Sequence, residues 1–368
     1  MPQSEQHPKN KFFSTLQNDL KNSHAYGSFR KDTKEISDFY LTDEQRERLK
    51  EMKAGKRPFY HFGWIMHAMF YKLTPVRRLM FIGGILFLLQ VHSSFTGNET
   101  VLSFDGNAII GGGLLVLVIL LELKDKLLAH DELEEGRKIQ ESLMPERMPA
   151  VNGWKLWLYT RSANEVCGDL IDYLKLDSER FSIAIADVAG KGLHAALITA
   201  KLQATIRALA GEITSLPQLI GRINTIVHRD SPSHIFSSLL YAECSHLNGT
   251  ITFVNAGHFP ALVVRNSEIE ECLRGEAALG LTGSMIFSEH SVTLNTHDRF
   301  VLYSDGLIEA KNESGDFFGK ERLLNLLKST ANNTPEQTGL TILQAVDGFT
   351  GTTTPSDDLS IIILQRTE

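Results

Sequence analysis

From Trp154 onward the apolar residues of this chain recur with a period of two, and that change of period limits the fold more than any other feature. WKLWLYT (154–160), GDLIDYLKL (168–176) and FSIAIADV (181–188) alternate or run apolar over strand lengths, with DSER (177–180) as a turn. Helical spacing then takes over in GLHAALITAKLQATIRALAGE (192–212) and SLPQLIGRINTIVHRD (215–230), with Ser215 as N-cap of the second helix. Strands return in IFSSLLYAEC, TITFVNAG (after a Leu-Asn-Gly turn) and PALVVR, then in SVTLN and DRFVLYSDG. Two helices, 320–329 and 335–349, and the strand LSIIILQ close the chain. Strands grouped around paired helices predict an α+β layered domain over residues 148–368.

The first 147 residues read differently. Residues 1–57 are polar and of disorder-prone composition, and no apolar stretch of signal-peptide type opens the chain. PFYHFGWIMHAMFY (58–71), with His61 and His67, is aromatic and amphipathic and suits a helix lying in a membrane interface; a buried helix is the alternative. Two charge-free runs follow, Leu79–Phe95 and Asn107–Leu121, near the short end of the roughly 17–25 residues that span a bilayer. Lys72, Arg77 and Arg78 precede the first run, Lys124 and Lys126 follow the second, and the intervening loop has Glu99 and Asp105 but no Lys or Arg. These flanks predict a two-helix transmembrane hairpin, near 79–95 and 103–123, with both ends in the cytoplasm. The expected anchor is thus 58–123. Residues 122–147 form a charged linker helix ended by Pro145 and Pro149, serving either as a spacer or as a dimer-forming transmitter.

Composition narrows the function. A formal charge of −7 argues against nucleic acid as partner. Residues 1–147 carry 20 basic and 19 acidic side chains and the rest 17 and 25, so the acidity belongs to the second part. Three scattered cysteines exclude a disulfide framework or a zinc ribbon. Four aspartates stand at strand ends: Asp169, Asp187, Asp305 and Asp357. Any one of them is ordinary turn chemistry. Four in one domain, without a His or Cys cluster, suit an all-oxygen site for Mg²⁺ or Mn²⁺, and paired hard cations activate water for phosphoryl hydrolysis.

GDLID, DVAGKGLHAAL, NAGHFPAL, YSDGLIEA and DDLSIII, in this order, resemble PPM-type (protein phosphatase 2C-like) serine/threonine phosphatases of the bacterial SpoIIE/RsbU-like branch. EGRKIQESLMPERMP resembles the helix before that branch's catalytic domain, and the likeness covers about residues 134–368. It implies an αββα sandwich with two Mn²⁺ or Mg²⁺ ions held by Asp169, Asp187, the Val188 carbonyl, Asp305 and Asp357. Asp358 and Asp172 would support the ligands, and Gly190 and Gly192 would permit a tight turn around a solvated Lys191. Arg161 would contact phosphate. His258 would be an acid for the leaving oxygen or, preferably, a structural turn residue. Cys167 stands where a glycine is common, Leu170 and Ile171 where aromatics are, and Ser162 where a proline is. Cys167 lacks a CX₅R loop, so a packed thiol is expected rather than a nucleophile.

The expectation is a membrane-anchored, metal-dependent phosphoprotein phosphatase in a bacterial cytoplasmic membrane, its catalytic domain in the cytosol. Its substrate would be a phosphorylated, STAS-type protein, and it would dimerise through the linker helix. A catalytically silent scaffold and a phosphatase of small metabolites are the rivals.

Overall fold

The computed structural model describes residues 37, 40–53, 55–89, 95–96, 99–100, 106–232 and 235–368. Most of the polar segment 1–57, and most of the loop between the two apolar runs, lies outside the described residues. The chain divides into two compact units, Met1–Leu127 and Leu128–Glu368.

In the first unit, helix α1 (Asp43–Glu51) opens with a Thr42–Gln45 capping box, and α2 (Arg57–Lys72) opens with Pro58 in its first turn. No residue of α2 is buried, and Phe59, Phe62 and Tyr71 are exposed. Helix α3 (Pro75–Leu89) is followed by the two-residue strands β1 (Phe95–Thr96) and β2 (Glu99–Thr100), then by α4 (Gly106–Leu143). Helices α3 and α4 touch at two glycines: a Cβ on Gly111 would fall 2.6 Å from the Gly84 carbonyl oxygen. Arg77 at the start of α3 reaches Glu122 at 2.6 Å and Asp125 at 2.7 Å.

No helix among the described residues is long and apolar enough to cross a membrane. The crossings expected near 79–95 and 103–123 are not found as such, for reasons of length and charge. Helix α3 has 15 residues, about 22 Å at the helical rise, against a hydrocarbon core of roughly 30 Å. In α4 the charge-free run ends at Glu122, and the helix continues without a break through the charged segment expected to be a separate linker.

The second unit is built from two antiparallel five-stranded sheets. One has the order β10-β7-β6-β5-β4, the other β3-β12-β11-β8-β9. In chain order they are β3 (Trp154–Arg161), β4 (Asp169–Lys175), β5 (Arg180–Val188), β6 (Ser237–Ser245), β7 (Thr250–Ala256), β8 (Leu262–Arg265), β9 (Glu268–Glu271), β10 (His290–Thr293), β11 (Arg299–Tyr303) and β12 (Leu359–Arg366). Helices α5 (Leu193–Leu209) and α6 (Leu216–Asp230) cover the first sheet. After the single turn α7 (Asp305–Ile308), helices α8 (Lys320–Ser329) and α9 (Pro335–Thr350) cover the second. The αββα sandwich expected from the resemblance is present.

Period two with both faces buried is what the layers demand. In β5, Phe181, Ile183 and Ile185 enter the core between the sheets, while Ala184 and Ala186 face the helices. In β12, Ile362 and Leu364 join the inter-sheet core, while Ile361 and Ile363 lie under α8 and α9. Helix α6 buries Leu216, Leu219, Ile220, Ile223 and Val227, one apolar stripe at helical spacing. Ser215 is its N-cap residue, as expected, but makes no capping hydrogen bond. The sequence reading missed α7 and β9.

Helix α9 lies closest to its sheet at Gly339, where an added Cβ would enter the ring of Trp157. Gly339→Val should therefore cost about 1–3 kcal/mol through overpacking. Urea denaturation checks this, and an unchanged midpoint would contradict the close approach.

Candidate active site

Strand parity decides which carboxylates meet. In β4, Leu170 packs under the helices and Ile171 in the inter-sheet core, so Asp169 shares the side of Ile171 and Asp172 that of Leu170. In β5, Asp187 shares the side of Ile185, also towards the second sheet. Register completes the pair: Asp169 stands directly opposite Asp187, and Val188 opposite Ser237. The second sheet supplies the rest. Asp305 opens α7 just after β11, behind the buried Ser304, and Asp357 and Asp358 lead into β12. Gly306 has no room for a Cβ, which would strike the Asp358 carbonyl oxygen, so these two segments meet backbone to backbone.

The carboxylates sense one another. Burial raises the Asp169 carboxyl well above the usual range; Asp187 and Asp358 add to this, and Ser360 and Ser304 oppose it. Burial likewise pushes Asp187 up to about 7, reinforced by the charges of Asp305, Asp357 and Asp358 and opposed by Lys191. Asp305 is raised by burial, then by Asp357 and Glu309. Asp169 Oδ2 is buried and has no hydrogen-bond partner. An orphaned carboxylate oxygen beside like charges fits a hard divalent cation, which gives the oxygen a partner and offsets the repulsion. The Val188 carbonyl oxygen is a further donor, 3.7 Å from where a Cβ on Gly168 would lie. Among the described residues no three His, Cys, Asp or Glu side chains are already gathered into a group able to hold an ion.

Asp358 has a different task. Its Oδ1 accepts from Ala163 N at 2.7 Å and its Oδ2 from Gly168 N at 2.5 Å, so it ties the loop before Asp169 to the start of β12. Gln140 of α4 grips the same loop from outside, donating to the Cys167 carbonyl and accepting from the Cys167 N–H, both at 3.0 Å. Thr199 on α5 donates to the Gly168 carbonyl at 2.6 Å. Asp172 faces away from the cleft, where Arg207 holds both its oxygens, at 2.9 and 2.7 Å. That Arg207 also donates to the Leu143 carbonyl at the end of α4. The support expected of Asp172 thus goes to helix packing and not to the ligands.

His258 is buried, and burial lowers it from 6.5 to about 4, which disfavours the charged form that would serve as acid for a leaving group. Its Nδ1 lies 2.8 Å from Ser238 Oγ, which accepts from the Asp187 N–H at 3.2 Å. Asn255 binds its backbone on both sides. Arg161 pairs with Asp347 of α9 at 2.8 Å, both side chains partly exposed. Cys167 is buried and its thiol is pushed up by that burial, then by Asp358 and Asp169, which leaves no thiolate. Gly190 and Gly192 both have positive φ, +117° and +70°. Lys191 between them is exposed, donates to the Ser356 carbonyl at 2.8 Å and lies 3.6 Å from Asp357.

Ser304, Ser360, Ser238 and Gln140 were not singled out by the sequence reading. Ser360 carried a legible signal, because a serine inside the apolar strand LSIIILQ needs a partner. Gln140 carried none, being 27 residues from the loop it grips.

The family model described as Stage II sporulation protein E (SpoIIE) matches residues 177–367. Protein IcfG of Synechocystis sp. is 25% identical over 264 residues, covering 64% of this chain and 41% of its own. Phosphoserine phosphatase RsbP of Bacillus subtilis is 30% identical over 190 residues, 50% of this chain and 47% of its own. Phosphoserine phosphatase RsbU of the same organism is 24% identical over 241 residues, 64% and 70%. The chain thus spans less than half the length of the first two. In fold, the PP2C domain of SiaA from Pseudomonas aeruginosa matches with a TM-score of 0.58 at 18% identity, over 66% of this chain and 99% of that one. The RsbU and RsbW domains of a Mycobacterium tuberculosis protein match at 0.53 and 23%, over 60% and 62%.

Because His258 takes up a proton only near 4 when folded but near 6.5 when unfolded, its contribution to stability is full above the higher value. It is lost as pH falls towards the lower one. His258→Gln should therefore narrow the stability difference between about pH 7 and about pH 4 by up to about 3 kcal/mol. Urea titrations of both proteins test this, and parallel pH profiles would sink it.

Proposed function

The chain belongs to the SpoIIE family of PP2C-type phosphatases, and from that membership we propose that it hydrolyses phosphoserine or phosphothreonine in a partner protein with Mn²⁺ or Mg²⁺. The observation that carries the reading is the pair Asp169–Asp187, opposed across β4 and β5, with Asp169 buried and one of its carboxylate oxygens unsatisfied. Asp169, Asp187, Asp305, Asp357 and the Val188 carbonyl would hold two ions. When bound, such ions supply Lewis acidity at phosphate and a deprotonated water for in-line attack.

The chain's own groups do the positioning. Asp358 fixes the approach of the Cys167–Gly168 loop, so Asp169 enters the cleft from a backbone that cannot swing. Ser238 and neutral His258 brace the Asp187 backbone from behind. Cys167 offers no nucleophile for a covalent phospho-enzyme, since burial holds its thiol well above the usual range. The phosphoserine activity named for RsbP and RsbU supports the substrate class, and a STAS-type partner is the expected form.

The signalling context is part of the proposal. Exposed Leu79, Leu86, Ile109 and Ile119 on α3 and α4 support seating of the first unit in a bacterial cytoplasmic membrane, with the catalytic unit in the cytosol. The last turns of α4 would transmit a signal through dimerisation, because Gln140 binds the loop two residues before Asp169.

Two experiments decide. Full-length protein with Mn²⁺ should dephosphorylate a phosphoserine protein. EDTA should abolish this reversibly, and Asp187→Asn or Asp305→Asn should lower kcat by about a thousandfold or more. No metal-dependent turnover would favour the scaffold; turnover preserved in Asp187→Asn would refute the site. Separately, the full chain should sediment with membranes and be released by detergent but not by high salt, and release by salt alone would refute anchoring.

A further inference from the structure

We propose that the catalytic unit holds a second binding site, for a small phosphate-bearing anion, between the end of α4 and strand β3. A cavity of about 660 Å³ lies there, lined in part by Arg137, Glu141, Arg147, Tyr159, Arg161 and Cys167. Its size is that of ordinary small-molecule sites. None of the four cleft aspartates lines it.

Charge selects the ligand. Three arginines face one lining carboxylate, that of Glu141. Yet residues 128–368 as a whole carry 20 basic against 31 acidic side chains, so the cavity reverses the sign of its surroundings. Arg147 has no carboxylate partner among the described residues; its guanidinium lies 5.4 Å from the Tyr159 ring centre, which leaves its edge N–H groups available. Among the described residues Arg137 pairs with Glu141 at 2.9 Å and Arg161 with Asp347 at 2.8 Å. Both pairs are partly exposed, hence worth little and open to replacement. Guanidinium groups from three arginines lining one cavity suit the bidentate recognition of phosphate better than that of a lone chloride or a neutral ligand.

Position gives the site a consequence. One wall is α4, through Arg137 and Glu141; the opposite wall is β3 and Cys167, two residues before Asp169. An anion bridging Arg137 and Arg161 ties the helix to the loop that presents Asp169. This site is independent of the phosphatase reading, since it needs neither metal nor turnover.

The test uses full-length protein in EDTA, titrated calorimetrically with inorganic pyrophosphate and with adenosine monophosphate. Saturable one-to-one binding of at least one probe is expected, weakened about tenfold or more by Arg147→Gln and by Arg137→Gln. Asp187→Asn should bind as the parent does. Both arginines are exposed, and unchanged thermal melting of the variants verifies that they fold. Hydrogen exchange across residues 137–144 should slow on binding in the parent and in Asp187→Asn, but not in the two arginine variants. The proposal fails if neither probe binds saturably at millimolar concentration. It also fails if binding survives both arginine substitutions, or if it is lost in Asp187→Asn, which would place the anion in the aspartate cleft.

Discussion

Two carboxylates of like charge, Asp169 and Asp187, stand opposite each other on neighbouring strands at the buried end of a sheet. That arrangement is unfavourable by itself, and much of the fold serves to impose it. A slip of one residue between β4 and β5 would turn one strand's apolar set away from the inter-sheet core. Phe181, Ile183 and Ile185 against Leu302, Ile362 and Leu364 oppose such a slip. The second sheet then brings Asp305 and Asp357 to the same end, which raises the cost of charge there and the reward for a bound cation.

The acidic residues around the cleft divide by what answers their charge. Asp172 has an arginine on both oxygens, and Asp358 has two backbone N–H donors. Both are structural: one fastens α5 to its sheet, the other fastens a loop to β12. Asp169 has an oxygen that nothing answers. A fold retains such a group where a ligand completes it, because an unpaired buried oxygen otherwise costs stability without return.

Much of this was legible beforehand. Strands with both faces buried announce themselves through β-branched and aromatic runs, and every long strand and helix of the second unit lies where the periodicity put it. Strand β9 escaped because Glu268–Glu271 holds a single apolar residue, and α7 because one helical turn has no periodicity. Parity alone could have separated Asp169 from Asp172, three positions apart on one strand and therefore on opposite faces. The apolar runs at Leu79 and Asn107 were legible as hydrophobic, but hydrophobicity did not determine helix length. Nor did it show that the second run continues unbroken into the charged linker.

The sequence by itself determined the layers, the turns and the placing of acidic residues at strand ends, because each of these follows from local periodicity and backbone chemistry. Only the tertiary structure decided which of those acids face one another and which are neutralised. Asp358 meets Gly168 across 190 residues, Gln140 meets Cys167 across 27, and His258 is neutral because two layers close over it. Interactions between charges depend on distance and on the water excluded around them, and both are set by how the sheets stack.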